Sequence, residues 1–153
     1  MAVDAGAGAL RIAHVDDHET VQLGFAFLLA DQPDITLVSS AFTVDDLVPR
    51  LGEIDLVVLD IRLSDGSTIE RNLALLQQHD ARVLAFTAAD NPAELRAASR
   101  AGVLGIVRKS ESRDVILEAI RSAARGSTVA TTEWAAALDA DPLLSSAGLS
   151  PKE

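Results

Sequence analysis

Five short aliphatic runs alternate with longer stretches of helical spacing, and this alternation constrains the fold more than any other feature of the chain. The runs cover residues 10–15, 35–40, 54–59, 82–86 and 103–107. Continuous Val/Ile/Leu-rich runs suit strands buried on both faces, which is the pattern of a parallel sheet with helices on either side. The intervening stretches supply the helices. Val21, Phe25, Leu28 and Leu29 recur at helical spacing within 18–31, and Pro33 stops that helix. Thr43 is placed to cap a short helix through Leu51, whose end Pro49 frays or kinks. Further helices are predicted over 68–79, from the Asn91-Pro92 cap to Gly102, and over 112–124 before Gly126. Right-handed crossovers between successive strands then give a doubly wound α/β sandwich.

The flanks read differently. Residues 1–9 are small and glycine-dotted, a flexible leader with no secretory pattern. Residues 126–148 are rich in Ala, Ser, Thr and Asp and read as a linker, with one short helix expected around Trp134. No apolar run approaches the length of a membrane span. Cysteine is absent, which excludes disulfides and thiolate metal sites. The net charge of −10 argues against a broad polyanion-binding surface and for attraction of cations. A cytoplasmic location with no membrane association is the resulting expectation.

In a parallel sheet all strand C-termini reach one edge, where ligands bind beside a topological switch point. Here the aliphatic runs stop at Asp16-Asp17, at Asp60, at Thr87 and at Lys109. Carboxylates gathered there repel, by about 4 kcal/mol for a pair 4 Å apart at an effective dielectric near 20. A small hard divalent cation relieves that repulsion, and oxygen ligands suit Mg²⁺. Such an ion would bridge carboxylate and phosphoryl oxygens, leaving Asp60 as nucleophile to an acyl phosphate, Thr87 as a hydrogen-bond donor and Lys109 as the opposing charge. Each residue has a plainer reading alone. Asp16 and Asp17 could cap the first helix, with Glu19 in its first turn, and Thr87 and Lys109 could be ordinary strand-end residues. Their joint placement favours the cation site. His18 reads as a helix-start residue at the rim rather than a base, and His14 as a packing position. Gly6 and Gly8 precede the first strand, the wrong side for a dinucleotide loop. Arg96, Arg100 and Arg121 read as a solvated or interface face.

These positions, with the strings HVDDHETVQLGF, DLVVLDIRLSDGS, VLAFTAADNP and AGVLGIVRKS, resemble the receiver domains of two-component response regulators over residues 10–125. The string LSPKE at 149–153 is similar to the opening of the helix-turn-helix domain of NarL/FixJ (LuxR-type) regulators, so the chain reads as truncated where that domain begins. The resemblance implies a flavodoxin-like (βα)5 fold with parallel sheet order 2-1-3-4-5. It implies Mg²⁺ on Asp16, Asp17, Asp60 and the Arg62 carbonyl, with Asp60, Thr87 and Lys109 carrying the chemistry. It also implies phosphoryl transfer from a sensor histidine kinase, homodimerisation through the fourth helix, fifth strand and fifth helix or through helices one and five, and transcription control by the DNA-binding domain. The chain would then be no enzyme beyond its own phosphorylation and dephosphorylation.

Several residues depart from the family pattern. Ser64 replaces a frequent proline and is expected to loosen its loop. Ile106 replaces a frequent aromatic switch residue, and Ser110 a frequent proline. Arg62 and Ala89 stand where the family tunes the lifetime of the phosphorylated state. The departures at Ser64 and Ile106 motivate a second reading, an interaction or dimerisation module that works without phosphate. A third, a dehalogenase-like phosphohydrolase, needs a second Asp two residues after the nucleophile, where Arg62 stands.

Overall fold

The structure is a computed structural model that describes residues 8–88 and 91–129. The expected linker helix at Trp134, the LSPKE string, Gly6 and Ala89 lie outside the described residues. Five strands, β1 (Leu10–Val15), β2 (Ile35–Ala41), β3 (Leu56–Leu59), β4 (Val83–Thr87) and β5 (Ile106–Arg108), pair in parallel in the order 2-1-3-4-5. The expected flavodoxin-like sheet is the one observed. The helices are α1 (Glu19–Leu29), α2 (Val44–Leu47), α3 (Ile69–Gln77), α4 (Pro92–Ala101) and α5 (Arg113–Ala124). A 3₁₀ segment over Val48–Glu53 continues α2, with Pro49 in its first turn, as the proline required.

Side-chain alternation along the strands divides the core between the two faces of the sheet. Ala13, Val15, Val57, Leu59, Ala85 and Ile106 pack with Leu73, Leu76 and Leu95 beneath α3 and α4. Ile12, Leu56, Val58, Leu84, Phe86 and Val107 pack with Phe25, Leu29, Ile116 and Ile120 beneath α1 and α5. His14 joins this second layer, fully buried, with its ring centroid 4.2 Å from that of Phe25.

Hydroxyl and amide side chains fix where the helices begin. Thr43, Thr68, Asn91 and Ser112 accept backbone N–H bonds from Asp46, Arg71, Ala93 and Val115. α4 ends on Gly102 at φ 105°, the left-handed conformation that glycine adopts without penalty. Two strands start later than the aliphatic pattern suggested. Ile54 donates back to Leu51 and closes the 3₁₀ turn, and Val103 donates back to Ala98 and closes the end of α4. β3 and β5 therefore begin at Leu56 and Ile106 rather than at 54 and 103. The arginines read as one face are separated. Arg96 and Arg100 lie on α4, while Arg121 lies on α5 across the sheet and clasps Asp34 and Gln32.

Candidate functional site

Backbone pairing aligns the strand ends before any side chain is considered. The Asp16 N–H donates to the Ala41 carbonyl at 3.1 Å, and the Asp60 N–H donates to the Val15 carbonyl at 3.0 Å. The second bond sets Asp60 beside Asp16 at the β1/β3 junction, where the strand order reverses. Across the β4/β5 junction the Lys109 N–H donates to the Thr87 carbonyl at 2.9 Å, and Thr87 is buried. Gln22 on α1 donates to the carbonyls of Asp16 and Ala41 at 2.8 and 2.9 Å, which ties the helix to this rim.

The side chains then converge. Lys109 Nζ donates to Asp60 Oδ2 at 3.2 Å and lies 2.6 Å from Asp16 Oδ2, an ion pair off the hydrogen-bond line. Asp16, Asp17, Asp60 and His18 each bring a ligand atom to a cluster whose atoms all lie within 4.8 Å of one another. The sequence-predicted Asp16, Asp17, Asp60 and Lys109 are thus brought together, and Thr87 stands beside Lys109 in the adjoining strand. Asp16 and Asp17 do not cap α1 through the usual N-cap bond. His18 holds the N-cap position without a side-chain bond, and its own N–H donates to Asp16 Oδ1 at 2.9 Å.

The charges are balanced unevenly. Burial pushes the Asp60 carboxyl above its ordinary range, and the neighbouring Asp16 charge adds to this against the opposing pull of Lys109. Burial alone would lower the Lys109 ammonium, but its ion pairs with Asp16 and Asp60 outweigh that and hold it above the usual lysine value. Contacts from Ser64 hold Asp17 below the ordinary carboxylate range, against the effect of burial. The rim therefore holds one ammonium against three carboxyl groups. Such a donor set fits a hard divalent cation.

Two residues matter more here than the sequence suggested. His18, the expected helix-start residue at the rim, also touches the cluster, its Nδ1 lying 3.2 Å from Asp16 Oδ1 and 2.9 Å from Asp17 Oδ1. Ser64 ties its loop to the acidic pair. Its N–H donates to Asp17 Oδ2 at 2.6 Å, a bond that a proline nitrogen cannot make. The signal was therefore present as the absence of a proline, and only the fold shows which acceptor that N–H meets. Arg62 donates through its backbone N–H to Asp60 Oδ1 at 3.3 Å, while its side chain turns outward to both oxygens of Glu94.

Residues 12–121 match the model of the response regulator receiver domain. The chain belongs to that family. It is 32% identical over 132 residues to the DNA-binding transcriptional activator DevR/DosR of Mycobacterium tuberculosis, covering 84% of this chain and 61% of that protein. It is 28% identical over 123 residues to the response regulator VraR of Staphylococcus aureus, covering 78% of this chain and 59% of that protein. The chain therefore spans about three fifths of the length of these curated relatives. Among solved structures, the response regulator ChrA of a heme-sensing two-component system superposes with a TM-score of 0.74 at 29% identity, over 86% of this chain and 64% of that one. A LuxR-family response regulator from Aurantimonas sp. SI85-9A1 gives 0.73 at 29% identity, over 83% and 93%. These relatives are NarL/LuxR-type regulators, as the sequence suggested. The receiver domain is a signalling domain rather than a classical enzyme. Receiver domains generally bind Mg²⁺, and the carboxylates at this rim fit that ion. Among the described residues no helix is long and apolar enough to cross a membrane.

Proposed function

We propose that this receiver takes a phosphoryl group on Asp60 from the phosphohistidine of a sensor kinase, in a Mg²⁺-dependent step. The observation that carries the reading is the position of the Asp60 carboxylate, held by Lys109 at the junction where Asp16 and Asp17 also end. A carboxylate oxygen of Asp60 attacks phosphorus, the bond from phosphorus to the donor imidazole breaks, and the electron pair leaves with that imidazole. Asp16, Asp17, Asp60 and the Arg62 carbonyl would hold the cation, which neutralises charge on the phosphoryl oxygens when bound. Lys109 supplies a fixed positive charge to an oxygen of the transferred group. Thr87 donates its hydroxyl to another.

Phosphorylation replaces one negative charge with about two. Thr87 ends β4 and Lys109 directly follows β5, so their movement toward the new oxygens changes the surface of α4, β5 and α5 and biases homodimerisation, with α1 and α5 a further dimer face. DNA recognition belongs to a C-terminal helix-turn-helix domain that residues 149–153 would open. The relative DevR/DosR, described as a DNA-binding transcriptional activator, supports that assignment. Incubation with Mg²⁺ and a small phosphodonor adds one phosphoryl mass to the protein, and Asp60→Asn abolishes it. Equal labelling of the Asn variant would overturn the assignment. Absence of any labelling, with dimerisation retained in Asp60→Asn, would favour the phosphate-independent interaction module, for which the buried aliphatic Ile106 at the switch position speaks.

A further inference from the structure

The geometry points to His18 as a metal-selectivity residue, which lends this site a nitrogen ligand and a preference for borderline divalent metals such as Ni²⁺ over Mg²⁺. The inference rests on the divalent-cation reading above and adds which cation the site favours. Lys109 holds the inner oxygens, Asp16 Oδ2 and Asp60 Oδ2. The outer oxygens, Asp16 Oδ1 and Asp17 Oδ1, face His18 Nδ1 at 3.2 and 2.9 Å. Adjacent ligands of an octahedral ion with bonds of about 2.1 Å stand about 3.0 Å apart. His18 Nδ1 therefore already stands at an adjacent-ligand distance from each of the two carboxylate oxygens.

The donor types give the direction of the preference. Mg²⁺ favours oxygen and gains little from an imidazole, whereas imidazole nitrogen suits Ni²⁺, Zn²⁺ and Cu²⁺. His18 also presents a ring accessible to an incoming ion. It stands at the start of α1 without a capping bond from its side chain, and the ring is 66% exposed, so replacing it costs the helix little. The other histidines do not share the position. His14 is buried in the sheet, and His79 lies past the end of α3, after Gln77 and Gln78.

The test is calorimetric titration of the untagged full chain with Mg²⁺ alone and with Ni²⁺ alone, in a His79→Gln background that removes an exposed competing imidazole. The expected result is Ni²⁺ binding at least tenfold tighter than Mg²⁺. His18→Gln should weaken Ni²⁺ at least tenfold and change Mg²⁺ less than threefold. Ring signals of His18 in a histidine-selective NMR spectrum should broaden first as Ni²⁺ is added. Equal changes for both metals, or Ni²⁺ affinity untouched by His18→Gln, would overturn the inference. Asp17→Asn and Asp60→Asn separate the two readings. If neither variant alters Mg²⁺ binding, the cation site itself fails. If both weaken Mg²⁺ and His18→Gln leaves the metals undiscriminated, only the role of His18 fails.

Discussion

His14 should make this domain acid-sensitive in a way that a single substitution removes. The ring is fully buried between Phe25 and Phe86, and neither nitrogen has a hydrogen-bond partner among the described residues. Burial lowers its pKa from 6.5 to about 4, with Lys109 pushing the same way and Asp16 opposing. The folded protein therefore keeps His14 neutral where the unfolded chain binds a proton. The stability tied to this group is complete above the unfolded value of 6.5 and is lost as pH falls toward 4, below which both states are protonated. At 1.36 kcal/mol per unit, the full loss is about 3 kcal/mol, and by pH 5 about 2 kcal/mol has gone. His14→Leu keeps the volume roughly constant and removes two unsatisfied polar atoms, so at pH 7.5 it should match or exceed the parent in stability. Urea unfolding at a series of pH values gives the comparison. Between pH 7.5 and 5 the parent should lose about 2 kcal/mol more than the variant, a midpoint difference of roughly 1 M urea. The carboxylates at the sheet edge titrate in both proteins, so in this difference all but the coupling of Asp16 to His14 cancels. Parallel pH profiles for the two proteins would refute the reasoning.

Two further substitutions test contacts that the sequence did not reveal. A Cβ on Gly105 would stand 2.6 Å from Val129 Cβ, so Gly105→Ala should displace Val129 from the edge of the sheet. It should break the bond from the Val129 N–H to the Leu104 carbonyl and cost about 2 kcal/mol, seen as faster amide exchange at Val129 and a lower urea midpoint. Ser64→Pro removes the donor to Asp17, a bond to a charged group worth about 2 kcal/mol, and returns less than about 1 kcal/mol by stiffening the unfolded chain. The metal-free protein should therefore melt earlier, by about 1 kcal/mol of stability, and the Asp17 carboxyl should titrate closer to its ordinary range in a carboxylate NMR experiment.

Much of the fold was legible because the strands are aliphatic throughout and each stops at a polar residue. The same ends carried the site, so Asp16, Asp17, Asp60 and Lys109 could be grouped from order alone. The late starts of β3 and β5 were not legible, because Ile54 and Val103 are as apolar as the strand residues that follow and only their backbone bonds to Leu51 and Ala98 assign them to turns. The contacts of His18 were not legible for a related reason. A histidine beside an acidic pair has the same sequence whether its ring faces solvent or turns back, and the contacts to Asp16 and Asp17 depend on a rotamer. Ser64 was read for what a missing proline does to loop entropy, whereas its effect here comes through an N–H that meets an acceptor from β1's end.

The bonds that build the sheet are also the ones that set the site. Asp60 reaches Asp16 because its N–H follows the parallel register of β1 with β3, and Lys109 meets Thr87 by the register of β4 with β5. A one-residue slip in either pairing would turn the strand-end side chains to the opposite face and, by the same move, put core side chains such as Leu59 or Ile106 out of their layers. The hydrophobic alternation that fixes register for stability therefore fixes the carboxylates and the lysine within hydrogen-bond distance of each other. Bringing them together leaves a cost, visible in the raised Asp60, that packing elsewhere must cover. A bound cation reduces that cost in the folded state alone. Divalent metal should thus stabilise this domain by mass action, about 2.7 kcal/mol at a hundredfold excess over the dissociation constant, and the gain should vanish when Asp17 and Asp60 are both changed to asparagine.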